Sequence, residues 1–172
     1  MIDPAWPDIS KLPREVVQNL TRCEGFIELK MPDRAAKELD AIQPEFHDHM
    51  YVVWMKVAIL QLRKAWKEAL PLARSLRDDF PKEAGFWIQL AYITRRAENI
   101  QAAREILLEA NTHFPKNETI IYNLACYACQ LEELEEARTF LHIAIKMDRD
   151  WLKTALEDDD LEALHDELED EP

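Results

Sequence analysis

Glycine is nearly absent: Gly25 and Gly85 are the only two in 172 residues. A loop that cradles phosphate, or a dinucleotide fingerprint, needs several glycines close together so that backbone can approach phosphate. Neither pattern occurs. Basic charge is also in deficit, with 21 Lys and Arg against 34 Asp and Glu and a formal net charge of −13. A nucleic-acid binder needs clustered Lys and Arg to displace counterions from phosphates. An anionic membrane surface makes the same demand, so neither nucleic acid nor membrane is expected as a partner. No apolar run approaches the length of a membrane span. The start of the chain, Met1-Ile2-Asp3-Pro4, has no basic region followed by an apolar stretch. Cys23, Cys126 and Cys129 make an odd number of cysteines, which argues against a disulfide framework. The expected compartment is the cytoplasm.

What the chain does have is helix-forming composition and a repeat. Ala35, Ala69, Ala103 and Ala137 stand at equal spacings of 34. Four positions later come Leu39, Ala73, Leu107 and Leu141, and three beyond those come Ile42, Leu76, Ala110 and Ala144. Phe46, Phe80 and Phe114 keep the same step, with Pro81 and Pro115 after the last two. Twelve residues before each repeated alanine sit Cys23, Val57, Ala91 and Ala125. The i, i+4, i+7 spacing of the alanine set makes one face of a second helix, and its small residues permit close contact with a first. Proline marks the boundary between units because it cannot continue a helix interior. A helix pair of this size cannot bury its own apolar face, so neighbouring pairs must stack.

These residues resemble the tetratricopeptide repeat (TPR) family, whose 34-residue pattern is W-x2-L-G-x2-Y, then A-x3-F-x2-A, then P. The third unit matches best, with Trp87-x2-Leu90-Ala91-x2-Thr94, then Ala103-x3-Leu107-x2-Ala110, then Pro115. The fourth has Ile121, Leu124, Ala125, Ala128, Ala137, Leu141 and Ala144, with Arg149 in place of the proline. The first two units depart further: Lys56 takes a usual leucine position, and Pro71 lies inside a second helix, predicting a kink or a late start. The resemblance implies an all-α fold, a right-handed helical solenoid of about four TPR-like helix pairs with a C-terminal capping helix. The expected organisation is a flexible N-terminal arm over 1–13 and a solenoid over 14–151. Its units fall near 16–49, 50–83, 84–117 and 118–151, followed by an acidic capping helix and tail over 152–172. Within that last stretch, residues 155–164 read as a helix broken in the middle, and Asp166 onward is expected to fray.

First helices carry two apolar stripes where an ordinary surface helix carries one. In the third unit the core stripe is Trp87, Leu90, Ala91 and Thr94, and the second is Ile88, Tyr92 and Arg95. The second unit has Val53, Val57 and Leu60, and separately Tyr51, Trp54 and Ala58. The fourth adds Tyr122, Cys126 and Cys129, and the first contributes Val17, Leu20 and Glu24. In TPR proteins the equivalent second stripe lines a concave, peptide-binding groove. Carried over, it implies a groove of Leu20, Tyr51, Trp54, Ile88, Tyr92 and Tyr122, with Arg95 and Asn123 along or beside it. Aromatic rings with a polar tip suit recognition. The carboxylate clamp of some TPR domains is missing, since its positions read Leu20, Glu24 and Met55. The expected ligand is therefore an apolar or amphipathic polypeptide segment, bound by an adaptor or chaperone-like module. The alternative is a self-associating structural solenoid whose groove is filled by its own chain or by a second copy, as in a homodimer.

Chemistry finds little foothold. Cys126-x2-Cys129 falls in mid-helix, whereas reactive pairs sit at helix N-termini, and no second pair completes a zinc site. The His47-Asp48-His49 run lies near a unit junction without a clear third ligand. Glu157 to Asp160 lacks the glycine and the alternating ligands of a calcium loop. No catalytic residue, metal ligand or cofactor is expected.

Overall fold

A chain rich in strong helix formers, with alanine and leucine at helical spacing and almost no glycine, stays helical until a cap or proline stops it. The computed structural model describes residues 9–168. Ten α-helices occur among the described residues, and no strand. They are α1 (Arg14–Glu28), α2 (Pro32–Asp40), α3 (Met50–Leu62), α4 (Trp66–Asp79), α5 (Ala84–Ala97), α6 (Ile100–His113), α7 (Glu118–Gln130), α8 (Leu134–Met147), α9 (Asp150–Leu156) and α10 (His165–Leu168). The helices fall into two compact units, one ending at Leu76 and one beginning at Arg77. In the first, α1 packs on α2, and both pack on α3. In the second, α5 packs on α6, α6 on α7 and α7 on α8.

The sixteen repeated positions that recur in all four units lie in the core. None of them exceeds 3% exposure, and all four alanines at the 34-residue step are fully buried. Alanine there removes side-chain bulk between helix axes, so that α1/α2, α5/α6 and α7/α8 come close along their length. In the α3/α4 pair, Ala69, Ala73 and Leu76 of α4 are as deeply buried as their counterparts. Here α3 is apolar nearly all round, burying Met50, Tyr51, Val52, Met55, Val57 and Ile59. Of the core stripe expected on α3, Val57 alone is fully buried, while Val53 and Leu60 are half-buried. Lys56, in the usual leucine position, sends its ammonium to the His47 carbonyl at 3.4 Å. Pro71 lies within α4, which nonetheless begins at Trp66 and runs unbroken to Asp79. There is no late start, because Pro71 sits in the second turn and removes only the bond to the carbonyl of Lys67.

The turns inside the pairs repeat as faithfully as the alanines. Lys30, Lys64 and Glu132 occupy the left-handed region with φ of 55°, 56° and 63°. The amide after each closes back on the helix it leaves: Met31 to the Phe26 carbonyl at 2.8 Å, Ala65 to Leu60 at 2.9 Å, and Glu133 to Ala128 at 2.9 Å. Each left-handed residue donates to the next carbonyl along, Ile27, Gln61 or Cys129. These are three Schellman closures in one register. The fourth position in that register, Glu98, has φ −123°. There Asn99 takes over as a cap, its side chain accepting from the Ala102 amide at 2.8 Å.

The described part of the N-terminal arm forms a 3-10 turn, Ile9–Lys11, beside α1. Residues 1–8 of the expected arm lie outside the described residues. At the other end, α9 stops at Leu156 and a 3-10 segment, Asp159–Leu164, follows an acidic turn. Ala155, Leu161, Leu164 and Leu168 are buried in the core of the second unit. The chain from Asp166 to Leu168 is thus helical, held by Leu168 and by Arg138, which pairs with both Glu167 oxygens at 2.6 and 2.7 Å. Residues 169–172 of the acidic tail lie outside the described residues.

A left-handed non-glycine residue costs about 1–2 kcal/mol, and glycine loses about 0.5–1 kcal/mol more chain entropy on folding. Glu132→Gly should therefore raise stability by about 0.5–1 kcal/mol, seen as a higher urea midpoint at unchanged slope. An unchanged or lower midpoint would show that the turn carries no strain. Ala103→Leu should cost about 1–3 kcal/mol by overpacking the α5/α6 contact, read by the same titration.

Candidate functional site

The eight residues of the expected groove fall in both units. In the first unit, Leu20 of α1 joins Tyr51 and Trp54 of α3 around a pocket of about 130 Å3. Ile9 of the 3-10 turn closes one side, and Glu24 brings a carboxylate to the wall. Leu20 and Tyr51 are 1% exposed, and Trp54 is half-buried. The pocket has the size of one apolar side chain.

In the second unit, Ile88 of α5 is half-buried against the core, and Tyr92, one turn on, is 39% exposed. The Arg96 guanidinium lies 3.7 Å from the centroid of the Tyr92 ring, a cation–π contact along the helix. Asn123 of α7 turns back on its own helix, donating to the Thr119 carbonyl at 2.7 Å.

Arg95 and Tyr122 do something else. Both are engaged by the chain's own C-terminal segment. The Tyr122 ring stacks on Trp151 of α9, centroids 4.2 Å apart and planes at 24°. Its hydroxyl donates to Asp158 Oδ2 at 2.9 Å, and the Cys126 thiol reaches the same oxygen at 3.7 Å. Arg95 forks onto Asp160, Nη2 to Oδ1 at 2.7 Å and Nη1 to Oδ2, while its guanidinium lies 5.2 Å from the centroid of the Tyr127 ring. Gln130 Nε2 adds a bond to the Asp160 carbonyl at 3.1 Å. The acidic turn organises itself for this contact: the Asp160 amide donates to Asp158 Oδ1 at 3.0 Å. Residues 150–160 therefore cover the second stripe of α7.

Titration follows the same contacts. Arg95 is held more firmly protonated by its bonds to Asp160. Burial, reinforced by Cys126 and Asp158, pushes the Tyr122 hydroxyl up. Burial also raises the Cys126 thiol, with the Asp158 and Asp160 carboxylates adding to it, and raises Cys129 as well. Cys23, buried beside Glu38 and Glu24, is pushed up to about 12. Neither Cys126 nor Cys129 has the electropositive setting of a reactive thiol.

The remaining motifs are structural. His49 caps α3, its Nδ1 accepting from the Tyr51 amide at 3.4 Å. His47 Nε2 lies 2.8 Å from the Ile42 carbonyl. His113 packs on Trp87 with centroids 5.4 Å apart. Among the described residues no group of His, Cys, Asp and Glu is arranged to hold a metal ion. Among them, too, no helix is long and apolar enough to cross a membrane. Linear spacing missed the partnership of Trp151, Asp158 and Asp160 with α5 and α7. The available signal was Arg95, a base set on an apolar helix face in a strongly acidic chain.

No family model and no curated protein matches the sequence. Solved structures do. MamA residues 41 to the end from Desulfovibrio magneticus RS-1 is similar at TM-score 0.69 and 17% identity, covering 80% of this chain and 78% of that one. A MamA double mutant (RS-1, ArsTM) is similar at TM-score 0.68 and 16% identity, again over 80% and 78%. At these identities the likeness carries the fold. The fold is an all-α, TPR-like helical solenoid.

Buried thiols with raised pKa should be inert in the folded protein. At pH 8 an aromatic disulfide reagent should titrate none of the three cysteines natively and all three in denaturant. Fast reaction of Cys126 or Cys129 in the native state would reopen a redox role for that pair.

Proposed function

We propose that the chain is a protein–protein interaction module, adaptor or chaperone-like, that binds an apolar or amphipathic polypeptide segment on the second stripe of its first helices. It carries no chemistry of its own in this reading. The observation that supports it most directly is the covered stripe of α7. There the same surface that the repeat offers to a ligand already holds polypeptide, with an aromatic stack and side-chain hydrogen bonds. Helix faces that bind segments use such anchors. The pocket of Leu20, Tyr51 and Trp54, and the exposed Tyr92 ring, are the corresponding surfaces on α1, α3 and α5. Strong negative charge argues against nucleic acid or an anionic membrane as the partner. Three free, buried cysteines support a cytoplasmic setting.

A second reading is favoured by the same cover. Residues 150–168 bury Ala155, Leu161 and Leu164 as well as the stripe, as a terminal cap of a solenoid must. In that reading the stripe is structural, and association with a second copy is the only interaction.

The two separate by affinity capture from native lysate, with Trp54→Ala and Tyr92→Ala, singly and together. The first reading expects a partner held by wild type and weakened by roughly thirty-fold in the double variant, the worth of one hot-spot residue at about 2 kcal/mol. Helicity and melting temperature should stay unchanged. Equal recovery by wild type and variant, or recovery of the protein itself alone, would transfer the case to the structural reading.

A further inference from the structure

The C-terminal segment indicates what kind of ligand the face of α5 and α7 accepts. Four side chains of that face hydrogen-bond the segment: Arg95, Tyr122, Cys126 and Gln130. All four donate. The acceptors are the two carboxylates of Asp158 and Asp160 and one backbone carbonyl, and an indole lies on the Tyr122 ring ahead of them. In a chain with 34 acids and 21 bases, a donor face of this kind discriminates strongly by charge. It fits an acidic segment and leaves unpaired or repelled a basic one.

The covering segment is also poorly able to hold its own shape. Helix α9 has seven residues and α10 four, far below the dozen or so at which an isolated helix becomes marginal in water. Its order therefore derives from docking. The docking has two halves. Leu161, Leu164 and Leu168 are buried among core residues and anchor the end. The first half is held by the Trp151 stack, by Ala155 and Leu152 against the core, by His165 Nε2 at 3.2 Å from the Asp158 carbonyl, and by the aspartate contacts, with Arg95 and Asp160 side chains 22% and 29% exposed.

We propose that residues 150–160 are a built-in ligand of the α5–α7 face. The partner recognised there is an acidic polypeptide segment, with an aromatic side chain followed by carboxylates two residues apart, that takes their place while the leucine anchor stays. This rests on the reading of the first-helix faces as polypeptide-binding and names the ligand class for one of them. It also makes the face self-inhibited, because a tethered segment competes at high effective concentration.

The probe is a labelled synthetic peptide with the sequence of residues 150–160, added to full-length protein. Wild type should bind it weakly, and Asp158→Asn/Asp160→Asn should bind it at least ten-fold more tightly. Adding Arg95→Ala to that variant should abolish the gain. A control peptide with lysines at the three aspartates of its C-terminal end should not bind. The proposal is overturned if the folded double variant gains nothing, if the gain survives Arg95→Ala, or if the lysine peptide binds equally. Should the variant fail to fold, hydrogen exchange of wild type decides instead. Amides of α9 opening at least ten-fold faster than those of α7 support an exchangeable segment, and equal rates refute it. The Trp54→Ala capture reads the pocket of the first unit, so the general reading and this one can fail separately.

Discussion

The structure depends on how closely two helices can approach at an alanine. At residues 35, 69, 103 and 137 the side chain is a single methyl, fully buried. That methyl lets a second helix pack closely on its first, as α2 does on α1, α6 on α5 and α8 on α7. Leucine, isoleucine or alanine four and seven positions on then complete the contact and make it specific. Because each pair exhausts only part of its apolar surface on itself, it must pass the remainder to a neighbour. The fold follows from repeating that transaction. The chain departs from the pattern in α3, which is bulky and apolar nearly all round, and in α4, which carries a proline inside the helix.

The turns express the same constraint in the backbone. A pair can close tightly only if the chain reverses within a few residues, and three Schellman closures do so in an unvarying register. They do it with Lys30, Lys64 and Glu132, where glycine would be less strained. Charged residues at these exposed corners keep the turns soluble and limit the chain's freedom when unfolded, at some cost in folded-state strain.

The last repeat poses a different problem. A stacked array ends with an apolar face that has no further repeat to cover it, and its first helix still carries a second stripe. One stretch of chain answers both needs. Leu161, Leu164 and Leu168 supply apolar cover, while Trp151, Asp158 and Asp160 meet the ring and donors of α5 and α7. The acidity of the segment is thus partly functional for folding: each of these two aspartates has a specific donor opposite it, in addition to water. This combination of a nonpolar anchor with a charge-matched latch also makes the face chemically legible, since its donors specify acceptors.

The sequence by itself determined the helices, the repeat and the core. A 34-residue step in small and apolar residues carries that information, because helical periodicity and burial are local, one-dimensional properties of a chain that stacks on its neighbours. Ala91, Leu107 and Ala125 were readable as core from spacing alone, as were the two stripes on α5 and α7. The partnership across the face was settled only in three dimensions. Arg95 and Asp160 are 65 positions apart and belong to no common period, so nothing in the register links them. Glu157 to Asp160 were legible only as an incomplete calcium loop inside a broken capping helix, and the tail from Asp166 as a fraying end, because charge alone does not reveal whether a donor waits opposite. Tertiary structure decided which carboxylates face water and which face arginine and tyrosine. The reason is that electrostatic and hydrogen-bond partners are chosen by geometry after the helices pack, whereas the apolar pattern is what makes them pack.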